Sequence, residues 1–314
     1  MSTISVIIPA YNAEKFIGEA IESALNQTRP AKEIVVVDDA GTDRTVEIAR
    51  SFGERVKVIV NAKNRGPGHS RNAGVAASTG DYLAFLDADD KWLPTHLAGL
   101  AGMLDQWPDA GFACSGLRQF GVREGRSLQY PECQQKPTNI FALIMRRDAL
   151  YPSTALVRRA AFDKIEGFDE IVRRRHGRRI QVEDYDFFLR LSVDALCVST
   201  PLCTALYRVH EAQASVLGDE QMHLAFRYRM RQLSKMRGSG KDALMLGIGI
   251  DQMRHAWDAR LREAWLGKSL PKLRAMILWG MWRPMLFPSC CHYVPRAFLP
   301  YSVVRIGKRL LGKK

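Results

Sequence analysis

The chain has 314 residues, 46% of them apolar and 25% charged, which is typical of a globular protein and excludes a disordered or collagen-like one. Because no apolar run reaches the ~20 residues of a membrane-spanning helix, we expect no such helix. We also expect no signal peptide, because the sequence opens directly into the apolar run Ile4–Ile8.

Charge is unevenly distributed. Residues 1–215 contain 27 basic and 27 acidic residues, whereas residues 216–314 contain 19 basic and 6 acidic ones, so the net charge of +13 lies in the last third. A neutral body with a basic tail predicts that the tail meets an anionic partner, either a phospholipid surface or nucleic acid.

The first part of the chain alternates strand and helix patterns. Buried strands are predicted at Ile4–Ile8, Glu33–Asp38, Val56–Val60 and Tyr82–Leu86. Helices are predicted after Asn12 as an N-cap, at Arg44–Phe52 after a cap by Thr42 or Asp43, and at His69–Ser78. This order predicts an α/β fold with a mostly parallel central sheet flanked by helices.

Later elements are fewer. Strands are predicted at Gly111–Ser115 and Thr154–Val157, and a helix at Glu183–Val193. From about Val216 the pattern is helical and basic to the end. We therefore expect one domain over residues 1–215 and a helical extension over residues 216–314.

Acidic side chains follow two of the predicted strands. Asp38 and Asp39 end the second strand, and Asp87, Asp89 and Asp90 follow the fourth. Ligands of parallel sheets bind at the carboxyl ends of the strands. Carboxylates that cluster there repel one another unless a cation lies between them, so the pattern predicts Mn²⁺ or Mg²⁺ together with phosphate oxygens.

Seven ordered blocks stand out in the sequence: Ser5–Asn12, Val36–Asp43, Asn64–Gly66 with Ser70–Gly74, Gly80–Asp90, Gly167–Glu170, Glu183–Asp186, and Tyr207–His210 with Ser215. In this order they resemble the family 2 inverting glycosyltransferases of GT-A fold. They cover roughly the first two-thirds of the chain, and their number and order make chance agreement improbable. The resemblance implies a nucleotide-binding half at 1–110 and an acceptor-side half at 111–215.

The resemblance also implies a nucleotide-sugar site. Pro9, Tyr11 and Asp39 match a base-and-ribose pocket, in which Asp39 accepts a hydrogen bond from a uracil-type imide. Arg71 matches a contact to the nucleotide, and Asp87 matches a contact to ribose or metal.

Three further residues match the reaction centre. Asp89 resembles the principal metal ligand, and His210 resembles a group near the donor diphosphate or a second metal ligand. Asp184 resembles the base that takes the proton of the acceptor hydroxyl. On the residues alone, a helix-N-terminal carboxylate is the favoured interpretation of Asp184, and His210 is also interpretable as a structural or an exposed histidine. Trp92 is predicted either under the donor sugar or in the core.

The implied reaction is inverting, metal-dependent transfer from a nucleotide sugar, expected to be a UDP-sugar. The implied acceptor is a hydroxyl of a growing glycan or lipid-linked glycan in cell-surface polysaccharide or lipopolysaccharide assembly. One alternative is a sugar-1-phosphate nucleotidylyltransferase, but Pro9–Asn12 is not its glycine-rich phosphate loop. The other is a non-catalytic membrane adaptor, which would not need Asp39, Asp89 and Asp184 together.

The basic tail mixes aromatic, apolar and cationic residues. Met276–Trp282 is flanked by Lys272, Arg274 and Arg283, a pattern typical of a helix in a membrane interface. We expect a cytoplasmic protein, peripheral on the inner face of the membrane; a helical cap on the body is the alternative. Without a groove-reading motif, no nucleic-acid partner is expected.

Two other features have open interpretations. Five arginines in Arg173–Arg179 predict either a mobile, solvated loop or an anion-binding lid.

The six cysteines include no metal-type Cys-x-x-Cys pair, so we expect reduced thiols.

Overall fold

The structure is a computed structural model. It describes residues 1–210 apart from 123, 126, 130–132, 135, 147–149, 171–172, 176–177 and 181–182. The predicted basic extension, with its membrane-interface pattern and the matched Ser215, lies outside the described residues. No helix in the described part of the chain is long and apolar enough to cross a membrane.

The first half is a parallel α/β unit, as predicted. Its strands are β1 (Ile4–Ala10), β2 (Glu33–Asp38), β3 (Lys57–Val60) and β4 (Tyr82–Phe85), and its helices are α1 (Ile17–Leu25), α2 (Thr45–Arg50) and α3 (Pro67–Ala76). The strands are all parallel, in the order β3-β2-β1-β4. Every residue of β1 is buried, which is typical of a parallel strand covered on both faces.

The second half extends the same sheet with mixed strand directions. Its elements are β5 (Lys91–Trp92), α4 (His96–Gln106), β6 (Ala110–Gly121), β7 (Ser127–Leu128), α5 (Phe141–Arg146), β8 (Ala155–Arg158), α6 (Arg159–Lys164), β9 (Arg173–Arg175), β10 (Arg178–Ile180), α7 (Glu183–Asp194) and β11 (Leu196–Val209). The order continues β4-β8-β6-β11-β5, with β8 antiparallel to both neighbours and β11 parallel to β6. The sheet is therefore parallel in its first half and mixed in its second.

Helices cover both faces of the sheet. Apolar residues of α1 and α4 form one core layer with β1, β2 and β4. On the other face, the Phe85 ring of β4 packs against Phe162, Phe168 and Phe187. There α3 lies close to β1, because a Cβ at Gly74 would meet Ile7 at 2.5 Å.

The predicted N-cap of the first helix was wrong. Helix α1 begins at Ile17 with Phe16 at its N-cap position, and no side chain caps it. Asn12 instead has φ +50° and accepts a hydrogen bond at its Oδ1 from the Thr42 N–H at 2.8 Å. Asparagine tolerates this left-handed backbone, and here its amide bridges two loops at the carboxyl edge of the sheet.

Candidate functional site

Asp39 lies directly after β2 and is 3% exposed. Its carboxylate accepts hydrogen bonds from Asn61 Nδ2 at 3.0 Å, from the Arg65 N–H at 2.9 Å and from the Gly66 N–H at 2.6 Å. These donors take most of the four lone-pair sites of a carboxylate. An imide bound at Asp39 would therefore share the carboxylate with the segment that leads into α3.

The other two predicted base-pocket residues flank the end of β1. Pro9 is buried within the strand and lies opposite Val37 of β2. Tyr11 is 53% exposed, and the preceding residue, Ala10, accepts a hydrogen bond from the Asp39 N–H at 2.8 Å. The structure thus places an accessible aromatic ring on the chain segment that is bonded to Asp39.

Arg71 of α3 is buried between two carboxylates. Its Nη2 donates to Asp87 Oδ1 at 2.7 Å, and its Nη1 donates to Glu183 Oε1 at 3.1 Å. Burial lowers the pKa of Arg71, but the charges of Asp87 and Glu183 outweigh it and raise the pKa above its usual range. Arg71 therefore joins the end of β4 to the start of α7, a role that the expected nucleotide contact did not include.

Glu183 was not singled out as a site residue in the sequence. From the sequence, only its neighbour Asp184 in the same motif was given a role. Glu183 is explained by the buried Arg71, because a buried arginine requires carboxylate partners. Its environment is tight, since a Cβ at Gly68 of α3 would lie 3.3 Å from Glu183 Cγ and 2.8 Å from the Asp169 carbonyl oxygen. Gly68 thus allows α3 to approach the start of α7.

Asp184 lies in the first turn of α7, partly buried, and its Oδ1 accepts a hydrogen bond from the Tyr185 N–H at 2.7 Å. Burial and the charge of Glu183 raise its pKa to about 7, although Arg71 acts in the opposite direction. A helix-stabilised surface carboxylate would have a lowered pKa. A pKa near neutrality is compatible with a general base.

Asp89 and His210 meet across the site. His210 Nε2 lies 3.0 Å from Asp89 Oδ2, and the imidazole packs on the Phe16 ring at 4.8 Å. Burial and the charge of Asp87 raise the pKa of Asp89, whereas His210 lowers it. Neighbouring carboxylates that resist ionisation, together with an imidazole nitrogen, fit a divalent cation such as Mn²⁺ or Mg²⁺.

Asp90 is buried next to Asp89 and joins the acidic loop to β11 through hydrogen bonds. Its two oxygens accept hydrogen bonds from the Arg208 N–H at 2.9 Å and from Ser153 Oγ at 2.7 Å, and Ser153 Oγ accepts one from the Asp87 N–H at 3.1 Å. Burial and the charges of Asp89 and Asp87 raise the pKa of Asp90 well above its usual range. These hydrogen bonds connect the acidic loop to the end of β11, just before His210.

Trp92 belongs to the core, and its alternative placement under a donor sugar was wrong. The side chain is 4% exposed, and its Nε1 donates to the Ser153 carbonyl oxygen at 2.7 Å. Its ring stacks on His96 of α4 with centroids 4.6 Å apart. Because both the ring face and the N–H are used internally, Trp92 contributes to packing behind the acidic loop.

The arginine-rich segment is an antiparallel hairpin of β9 and β10 rather than the loop predicted as one alternative. Before it, Glu170 accepts hydrogen bonds from Arg65 Nη2 at 2.9 Å and from Asn72 Nδ2 at 3.0 Å. Glu170 thus ties the chain that enters the hairpin to α3. Its function as an anion-binding lid stays a prediction.

A family profile described as Glycosyl transferase family 2 matches residues 5–166. The chain belongs to this family. The match covers the Asp39, Arg71, Asp87 and Asp89 segments, and the predicted family and enzyme class are confirmed by it. The roles of single residues remain predictions.

Curated relatives agree with the family. An uncharacterized glycosyltransferase from Haemophilus influenzae is 31% identical over 189 residues, which are 60% of this chain and 61% of that protein. EpsE of Bacillus subtilis, a glycosyltransferase by name, is 30% identical over 215 residues, 66% of this chain and 73% of EpsE. The succinoglycan biosynthesis protein ExoO of Rhizobium meliloti is 42% identical over 127 residues, 40% of this chain and 36% of ExoO. The alignments with the first and third span less than two-thirds of those proteins.

Solved structures share the fold. TarS of S. aureus (residues 1–349) in complex with UDP-GlcNAc has a TM-score of 0.71 at 21% identity, and the match covers 88% of this chain and 79% of that one. The mannosyltransferase PcManGT of Pyrobaculum calidifontis in complex with GDP-Man and Mn²⁺ has a TM-score of 0.55 at 19% identity, with 100% and 88% covered. The GT-A fold expected from the sequence is thereby confirmed.

Proposed function

We propose that this family 2 member transfers a sugar from a UDP-sugar to an acceptor hydroxyl, with inversion and with Mn²⁺ or Mg²⁺ as cofactor. The acceptor class is a growing glycan or lipid-linked glycan of a cell-surface polysaccharide. Support for the acceptor comes from ExoO, named for succinoglycan biosynthesis, and support for a UDP donor from the UDP-GlcNAc-bound neighbour of the same fold.

One observation supports this proposal above the others. Arg71 bridges Asp87, beside the proposed metal residue Asp89, and Glu183, beside the proposed base Asp184. The proposed metal-dependent, inverting transfer uses a cation-binding group at the leaving diphosphate and a base on the opposite side of the sugar. The Arg71 link would hold these two parts of the chain in fixed positions, which favours such a reaction.

Each side chain then has a defined task. Tyr11 and Asp39 hold the nucleobase, and the buried Pro9 shapes the strand behind them. Asp89 and His210 would hold the metal ion, which supplies positive charge to the leaving diphosphate. Asp184, with its pKa near neutrality, takes the acceptor proton as the hydroxyl attacks the anomeric carbon.

The proposal extends to the tail, which lies outside the described residues. Its excess of 19 basic over 6 acidic residues and its tryptophans favour an anionic membrane surface as partner. Attachment there would keep the protein peripheral, on the inner face of the cell membrane, next to a lipid-linked acceptor.

A donor screen tests the function. Purified protein is incubated with UDP-, GDP- and dTDP-sugars, with and without Mn²⁺, and release of nucleoside diphosphate is measured. We expect Mn²⁺-dependent hydrolysis of one UDP-sugar. Hydrolysis of GDP- or dTDP-sugars alone would contradict the donor, and equal rates in EDTA would contradict the metal. No hydrolysis or binding of any nucleotide would favour the adaptor alternative.

A further inference from the structure

Three cysteines converge within the second half of the sheet. Cys114 lies on β6, Cys197 on β11, and Cys133 in the segment between β7 and α5; all three are fully buried. The parallel register pairs Cys197 with Phe112 and Cys114 with Ser199. Cys114 and Cys197 are therefore diagonal neighbours on one face of the sheet, and Cys133 covers them.

The segment that carries Cys133 is attached to β11 by its backbone. Thr138 and Cys197 exchange two hydrogen bonds, of 2.8 and 2.9 Å, and Gln129 Nε2 donates to the Pro201 carbonyl oxygen at 2.9 Å. The position of the third thiol is thus fixed from both sides. In the same place, Ser199 is a hydrogen-bond partner of the Cys133 side chain.

The sulfur atoms are spaced as metal ligands are. Cys197 Sγ lies 3.6 Å from Cys114 Sγ and 3.8 Å from Cys133 Sγ, and all three lie within 4.8 Å of one another. Metal–sulfur bonds of about 2.3 Å at tetrahedral angles separate two thiolate sulfurs by about 3.8 Å. Within the described part of the chain, no other His, Cys, Asp or Glu joins this group.

We propose that Cys114, Cys133 and Cys197 bind one thiophilic d10 metal ion, Zn²⁺ or Cu⁺, as thiolates. Three sulfurs without a carboxylate select this class of metal over Mn²⁺ or Mg²⁺. On binding, three S–H bonds break, three metal–sulfur bonds form, and three protons pass to solvent. The Ser199 hydroxyl supports the ligand set as an outer hydrogen-bond donor.

The metal would have a structural role, separate from the cation of the reaction. It would hold the segment around Cys133 on β6 and β11 and so rigidify the acceptor-side half. The inference does not depend on the proposed transfer reaction, because Asp89 and His210 contribute no ligand to it.

Metal content of the full chain tests the site. The background variant is Cys203→Ser, Cys290→Ser, Cys291→Ser, in which the three remaining cysteines are the proposed ligands. Purified anaerobically and measured by inductively coupled plasma mass spectrometry, it is expected to hold about one equivalent of zinc or copper. Adding Cys197→Ser should remove that metal and lower the melting temperature.

The two metals are separated by adding Zn²⁺ or Cu⁺ to chelated background protein. We expect one of them to restore the melting temperature, and the thiolate charge-transfer absorbance identifies a Cu⁺ site even if Cys197→Ser does not fold. Metal far below one equivalent, with neither ion changing the melting temperature, would overturn the proposal. So would metal retained in a folded Cys197→Ser variant, or a Cys114–Cys197 or Cys133–Cys197 disulfide in the intact protein.

Discussion

At the residue scale, the acid–base behaviour of Asp184 is the most specific feature of the site. Burial beside Glu183 raises its pKa to about 7, from an ordinary value near 4. A base is active when deprotonated, so we expect the turnover number to rise with pH and to level off above about pH 7. A pH–rate profile that is flat between pH 5.5 and 8.5, with chemistry rate-limiting, would contradict the assignment.

The same pKa predicts a stability effect. Because the folded state raises the pKa of Asp184, it binds the proton more tightly than the unfolded state does, and this contribution is lost as pH rises through about 7. Asp184→Asn removes the buried charge. We therefore expect the stability of the variant, compared with that of the native protein, to increase as pH rises from 5 to 8. The difference between the two urea midpoints at each pH measures this change.

Arg71 permits a matched comparison of buried and exposed ion pairs. Arg71→Ala leaves the carboxylates of Asp87 and Glu183 without their buried partner, which costs about 3–5 kcal/mol. Arg44→Ala breaks a pair with Glu47 whose side chains are 69% and 66% exposed, and we expect a far smaller loss because solvent screens exposed charges. Equal losses in urea unfolding would show that the Arg71 bridge is not structural.

At the element scale, Asp39 fixes the segment between β3 and α3. Asp39→Ala removes the acceptor of the Arg65 and Gly66 N–H groups as well as the proposed imide partner. We expect nucleotide affinity to fall roughly ten- to a hundredfold, since hydrogen bonds to a charged group contribute about 1.5–3 kcal/mol.

Calorimetry with UDP measures this change. Asp81→Ala, at the other end of the sheet, is the control; its carboxylate bonds Thr3 and should leave UDP affinity unchanged. Unaltered affinity in Asp39→Ala would show that the base lies elsewhere.

The tail is the element whose partner is least constrained. Deleting residues 274–314 should abolish co-sedimentation with anionic liposomes and leave activity on a soluble acceptor. Salt should release the intact protein only in part, because charges are screened over about 8–10 Å while buried apolar groups are not. The intact protein failing to bind such liposomes would end the membrane hypothesis, and precipitation of the truncated protein would favour a cap.

At the scale of the whole molecule, the sequence predicted those elements of the fold that have a local residue pattern. Strands β1 and β2 are continuous apolar runs, and the acidic residues fall where parallel strands end, so the sheet edge could be located in advance. The antiparallel β8 and the order of the second half depend on long-range pairing, which has no local signal. Tertiary contacts also determine the positions of the Asn12 and Trp92 side chains. For each of them, the local sequence was equally compatible with another position.

The missed site residues share one cause. Glu183 and Ser153 act through side chains distant in sequence, so no spacing rule indicates them. The burial of Arg71 points to Glu183, because a buried cation requires carboxylate partners, but only the structure reveals that burial. The cysteine cluster is similar, since the β6–β11 register brings Cys114 and Cys197 together and the Thr138–Cys197 backbone pair places Cys133 beside them.

In the proposed reaction, Asp89 and Asp184 act on opposite sides of one transferred sugar. The direct measurement is turnover beside Mn²⁺-dependent binding of UDP, in Asp89→Asn and Asp184→Asn. We expect both variants to lose turnover, only Asp89→Asn to lose the enhancement of binding by Mn²⁺, and Asp184→Asn to bind UDP like the native protein. Loss of UDP binding in Asp184→Asn, or native Mn²⁺ dependence in an active Asp89→Asn, would contradict the roles proposed for these two residues.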